Sequence, residues 1–177
     1  MIGVLVSGEG SNLQALIDEA LPIAGVASNK PAVQALERAQ RACIPSAAFP
    51  LEHFDERRER DRAMADWLER LGVELVVCAG YMHLLSPEFL ARFPGRIVNV
   101  HPSLLPEFPG TRAISDAVAA RVETTGVTVH VIDEGVDTGP ILAQEPVPVA
   151  PAETLEQRIH AVEHRLLPRV VRQLCER

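Results

Sequence analysis

Apolar positions along the chain follow two rhythms. Short unbroken runs at IGVLV (2–6), PIAGVAS (22–28), ELVVCAG (74–80) and RIVNVH (96–101), with a briefer one near 46–48, predict buried strands. Between them apolar residues recur at helical spacing. This predicts a helix through LQALIDEA with Ser11 or Asn12 as N-cap, then helices over 33–42 and from about Asp55 to Arg70. A short helix follows the Ser86-Pro87 signal, another runs from about Arg112 to Val122, and a terminal one covers 153–175. GVTVHVID (126–133) and PILAQEPVPV (140–149) read as two strands joined by EGVDTG, a link short enough to require an antiparallel pair. Strands alternating with helices imply one α/β domain over 1–177, Rossmann-like, with a single doubly wound, mainly parallel sheet. Such sheets bind ligands beyond the carboxyl ends of their strands. Gly8–Asn12, Gly80–Leu85, Asn99–Pro109 and, if its loop curls over that edge, Glu134–Gly139 are expected there.

Composition narrows the classes. Hydrophobic residues are 47% and charged residues 23%, typical of a globular chain, and no apolar run approaches a membrane span. A formal charge of −7 argues against a nucleic-acid binder, which needs a basic face for phosphates. MIGVLVSGEG lacks a basic stretch before its apolar run, so no signal peptide is expected. Cys43, Cys78 and Cys175 are scattered, which fits reduced thiols in the cytoplasm and offers no zinc spacing. Asparagine occurs only at 12, 29 and 99, each at or just past the end of an expected strand.

The densest chemistry lies in IVNVHPSLLPEFPG (97–110). Side chains alternate across a strand, so Asn99 and His101 share a face, roughly 7 Å apart. Pro102 ends the strand, and Pro106 and Pro109 stiffen the loop beyond it. Asp137 lies in a glycine-rich turn, and a lone loop aspartate is ordinarily a turn former. If its loop folds over the sheet edge, its carboxylate approaches His101. Asn99, His101 and Asp137 then form a set with no nucleophile, since Ser103 lacks a G-x-S-x-G elbow. The chemistry left is direct transfer between two bound substrates. Asn99 would stabilise an oxyanion, and His101 with Asp137 would manage protons. SGEGSN matches a dinucleotide fingerprint only in part, because Leu13 stands where glycine is required. It retains the features of a single-phosphate site at a helix start. His130 alternates within a strand and reads as structural. His160 and His164 have metal-ligand spacing but no third ligand.

Five segments together carry a resemblance: SGEGSNLQALID, AGYMHLLSP, NVHPSLLPEFPG, IDEGVDTGPILAQ and VEHRLLP. In this order, over nearly the whole chain, they resemble the phosphoribosylglycinamide formyltransferases, folate-dependent enzymes of purine synthesis. The resemblance implies a formyltransferase-like fold and formyl transfer from 10-formyltetrahydrofolate to the amine of glycinamide ribonucleotide. It implies that Gly10, Ser11 and Asn12 hold the phosphate end of the nucleotide and that Glu163 contacts it. Arg57, Met82, His83, Leu84 and Leu85, together with Asn99, would line the folate site. Asn99, His101 and Asp137 match the family's catalytic set. His83 stands where arginine is common, and Glu107 where a basic residue often sits.

Three rivals are weaker. A methionyl-tRNA formyltransferase would need a second domain and a basic surface. A formyltetrahydrofolate hydrolase would need an extra N-terminal domain. A nucleotide-binding module would bind without turnover. The expected partners are the two small-molecule substrates, with no metal, nucleic acid or membrane, and with a homodimer left open.

Overall fold

The computed structural model describes residues 1–176. In chain order its elements are β1 (Ile2–Val6), α1 (Ser11–Asp18), β2 (Ile23–Ser28), α2 (Gln34–Arg41), β3 (Ser46–Ala48), α3 (Arg57–Arg70) and β4 (Leu75–Cys78). There follow α4 (Pro87–Arg92), β5 (Ile97–His101), α5 (Ala113–Ala119), β6 (Thr124–Val131), β7 (Ile141–Pro148) and α6 (Leu155–Cys175). The seven strands form one sheet ordered β3-β2-β1-β4-β5-β6-β7. The ladders β3–β2, β2–β1 and β1–β4 are parallel, and β6–β7 is antiparallel. This is the doubly wound, mainly parallel sheet with an antiparallel C-terminal pair that the alternation of runs predicts.

Boundaries differ where local groups decide them. The N-cap of α1 is neither Ser11 nor Asn12 but Gly10, in the left-handed region at φ 78 and without a side-chain cap. A single 3₁₀ turn at Leu51–His53 precedes α3, which begins at Arg57 rather than Asp55. Helix α5 stops at Ala119, short of Val122, and Arg121 turns away at φ 54. Ser86 does cap α4, its hydroxyl accepting from Phe89 N–H at 3.3 Å.

The chain divides into two compact units, Met1–Val98 and Asn99–Arg177, the division falling within β5. In the first, β1 and β4 are buried at every position, as strands covered on both faces must be. Leu13 and Leu16 of α1, Met64 and Leu68 of α3 and Phe89 of α4 are buried with them. Each such side chain contributes about 1.5–3 kcal/mol of transfer free energy. Trp67 and Leu71 press closely on β2, where only a glycine leaves room. A Cβ on Gly25 would lie 2.5 Å from Leu71 Cδ1 and 2.8 Å from Trp67 Cη2. In the second unit β6 is almost wholly buried, whereas β7 is mostly exposed and carries Pro146 and Pro148. Helix α6 packs on both strands, burying Leu155, Ile159, Val162, Leu166 and Val170 along one stripe. No helix among the described residues is long and apolar enough to cross a membrane.

Because Gly25 has no free space beside it, Gly25→Ala is expected to destabilise the protein by about 1–3 kcal/mol through overpacking. A lowered urea midpoint with an unchanged m-value checks this.

Candidate active site

In the second unit β5 delivers Asn99, half-buried, and His101, 4% exposed. The loop after β5 is held by hydrogen bonds more than by its prolines. Ser103 donates its hydroxyl to the carbonyl oxygens of Glu107 and Phe108. Thr128 Oγ1 donates to Ser103 O at 2.6 Å and accepts from Leu105 N–H at 3.1 Å, and Gln144 donates to Leu105 O at 2.9 Å. Ser103 is fully buried and committed to this turn, so it is unsuited to be a nucleophile.

The loop also sets the state of His101. Its Nε2 lies 2.8 Å from Phe108 O, and a carbonyl can only accept, so Nε2 carries a proton. Any second proton must then sit on Nδ1, 3.4 Å from Asp137 Oδ2. Asp137 Oδ2 also accepts from Gly110 N–H at 2.8 Å. The Asp137 backbone is left-handed, at φ 54, a conformation that aspartate tolerates better than most residues but still at a cost.

The loop bearing Asp137 is organised from within. Asp133 Oδ1 accepts from Gly135 N–H at 3.0 Å and from the Thr138 hydroxyl at 2.7 Å, and the second contact is the main cause holding the Asp133 carboxyl below its ordinary range. Gly139 is obligatory, since a Cβ there would lie 1.8 Å from Val131 O.

His130, which strand alternation reads as structural, lies against this set: its Nε2 is 3.3 Å from Asn99 Nδ2 and 3.5 Å from Asp137 Oδ1. Its Nδ1 donates to Val131 O at 3.0 Å, so the neutral ring offers a lone pair at Nε2 for the Asn99 amide. Only the doubly protonated ring can donate to Asp137. The Asp137 carboxyl is held below its ordinary range first by that His130 hydrogen bond, then by the Gly110 N–H and the nearby charge of His101, against the opposing effect of burial. Asn99, His101 and Asp137 are therefore brought together, with His130 as a fourth member.

In the first unit, Gly10 is fixed twice, by its positive φ and by the approach of α2. A Cβ there would lie 2.6 Å from Ala35 Cβ. Ala35 N–H donates to Gly8 O at 3.1 Å, and Arg38 donates to Glu9 O at 2.9 Å and to Gln14 Oε1 at 3.2 Å. Ser11 and Asn12 occupy the first turn of α1, where backbone N–H groups lack intrahelical acceptors. That is an anion-binding arrangement.

Also in this unit, Met82 and Leu84 are 59% and 56% exposed, and His83 beside them is exposed. Met82 N–H donates to Ser7 Oγ at 2.9 Å, and Ser7 donates to Asn29 Oδ1 at 2.6 Å. Leu85 is half-buried, and Arg57 is exposed at the start of α3. Glu163 of α6, in the second unit, is 5% exposed on the helix's buried face. No group of three or more His, Cys, Asp or Glu that could hold a metal occurs among the described residues.

Residues 1–171 match the formyl transferase family. The phosphoribosylglycinamide formyltransferase of Bacillus subtilis is 40% identical over 180 residues, covering 97% of this chain and 92% of that protein. That of Haemophilus influenzae is 41% identical over 184 residues, covering 99% and 87%. The chain belongs to the phosphoribosylglycinamide formyltransferase family. The solved formyltransferase of this name from Streptococcus pneumoniae shares its fold at a TM-score of 0.94 and 42% identity, covering 98% of this chain and 97% of that one. The chain is also 44% identical over 181 residues to the trifunctional purine biosynthetic protein adenosine-3 of Drosophila pseudoobscura, but spans only 13% of its length.

In this formyltransferase the depressed Asp137 carboxyl has a consequence for stability. A carboxyl whose folded value lies below its unfolded one stabilises the fold above the unfolded value, near 4, and the contribution fades as pH falls. Chemical denaturation is expected to show a smaller loss of stability between about pH 6 and about pH 3 for Asp137→Asn than for the wild type. Equal losses would mean that the carboxylate is not held by its neighbours.

Proposed function

We propose that the chain transfers the formyl group of 10-formyltetrahydrofolate to the amine of phosphoribosylglycinamide by direct transfer, with residues 1–177 acting as one catalytic domain. The observation that carries this reading is the Asn99–His101–His130–Asp137 cluster, which has two imidazoles, a carboxylate and an amide but no nucleophile.

In the proposed step the substrate amine attacks the formyl carbon and the carbonyl electrons move to oxygen. The Asn99 amide has two N–H groups. A neutral His130 ring engages one, and the other is available to the developing oxyanion. The amine must lose a proton as the C–N bond matures. Asp137 is the acceptor within the cluster, directly or through water, with His101 Nδ1 beside it as the exchangeable position. His101 Nε2–H is engaged with Phe108 O, which leaves Nδ1 as the ring nitrogen that takes part. Collapse expels the folate N10, which takes up the proton that Asp137 accepted, directly or through water. The net result is a formamide and tetrahydrofolate, with atoms and charge balanced.

The anion-binding turn at Gly10–Asn12 suits the nucleotide's phosphate, and Glu163 is assigned to the same substrate. Arg57, Met82–Leu85 and Asn99 are assigned to the folate. Cytoplasmic residence is carried with this proposal, and sedimentation velocity decides between a monomer and the homodimer left open above.

Losing one oxyanion donor costs about 10²–10³ in turnover, so Asn99→Ala is expected to lower kcat by that factor with the fold intact. Asp137→Asn is expected to lower kcat at least ~10²-fold on the scale of general acid–base catalysis while nucleotide affinity changes little. Both are measured by steady-state release of free folate with the two substrates. Near-normal kcat in either variant would remove that residue from the chemistry.

A further inference from the structure

Arg60 and Asp61 of α3 are the only oppositely charged neighbours among the described residues that are both fully buried. Two adjacent helical residues ordinarily diverge, yet Asp61 Oδ1 accepts from both Arg60 Nε, at 2.9 Å, and Arg60 Nη2, at 2.6 Å. The carboxylate's other oxygen accepts from Ser86 N–H at 2.7 Å, and Arg60 Nη1 lies 3.5 Å from His83 Nδ1. The pair therefore supports the far end and the middle of segment 82–86, while the Ser7 hydroxyl holds Met82 N–H at the near end.

We propose that Arg60 and Asp61 are positioning residues for the Met82–Leu85 segment, holding it in the shape that receives the folate co-substrate. This rests on the proposed assignment of that segment to the folate. Stability is a poor reason for such a pair. Both ions lose their hydration, and apolar replacements of similar volume are often as stable or more so. What the pair supplies is geometry. It fixes a backbone whose large apolar side chains, Met82 and Leu84, remain more than half exposed.

It also sets the state of His83. A guanidinium can only donate, so the contact with Arg60 requires a lone pair on Nδ1, leaving a neutral ring with its proton on Nε2. The charged groups facing this ring are Arg60, Asp61 and Arg57 from α3 and Lys30 from the turn after β2. Burial and then Arg60 hold His83 below the ordinary histidine value, so it stays a neutral donor beside the exposed side chains.

The test compares the double variant Arg60→Leu/Asp61→Asn, which deletes both charges while keeping an acceptor for Ser86 N–H, with Leu84→Ala. The double variant is expected to fold and to raise KM for 10-formyltetrahydrofolate by about tenfold or more, with KM for the nucleotide within about twofold. The His83 titration, followed by NMR, should move up in the same variant, because Arg60 lowers it by more than Asp61 raises it. A folded double variant with wild-type folate KM, alongside a Leu84→Ala variant with raised folate KM, overturns the positioning role. Unchanged folate KM in Leu84→Ala overturns instead the assignment of the segment to folate. Should the double variant fail to fold, amide exchange in the wild type decides. Core-like protection of Ser86 N–H, which Asp61 accepts, supports the clamp, and exchange at exposed-loop rates overturns it.

Discussion

The carboxylate of Asp137 is the contact on which the reactive cluster depends. It takes the Gly110 amide and faces both imidazoles, and its own backbone sits in the left-handed region at some cost. One acid side chain thereby links two stretches that leave the sheet separately: β5 with the loop after it, and β6 with the connection to β7. Removing it would free more than a charge, because the connection would lose its tie to Gly110 and the rings their shared counter-ion.

The surrounding hydrogen bonds are ordered so that each ring nitrogen has a defined role. Carbonyl oxygens at Phe108 and Val131 each take one imidazole N–H, and this directs the remaining nitrogen of each ring toward Asp137. Backbone acceptors thus orient the site's titrating atoms. The turn that supplies Phe108 O is in turn held by Ser103, Thr128 and Gln144. None of these three needs to meet a substrate to matter for the reaction.

Much of this was legible in the chain. Unbroken apolar runs located β1, β2, β4 and β5, because a strand covered on both faces has no polar period to hide it, and the six-residue link between the last two runs dictated their antiparallel pairing. Period-two alternation put Asn99 and His101 on one face. His130 was out of reach for a different reason. Alternation says which face a side chain takes but not which loop closes over it, and the curl of 132–140 depends on Asp133 and Gly139 contacts local to that loop. Arg60 and Asp61 were hidden because a charged run on a helix reads as a solvated face, and nothing in RRERDR marks the two charges that turn inward. The cap of α1 was misplaced because a glycine cap offers no side chain for a pattern to detect.

The internal bracing of the β6–β7 connection divides its residues into two kinds with different evolutionary freedom. Asp133, Gly135, Thr138 and Gly139 are each bound to the loop's shape by a hydrogen bond or by a missing Cβ, and Asp137 by its partners. Glu134 and Val136 are exposed and constrain none of these contacts. Drift in this family should therefore accumulate at those two solvent-facing positions, where side chains can change size and charge. The frame that holds the aspartate leaves no such latitude, because each of its positions is tied to the loop's shape.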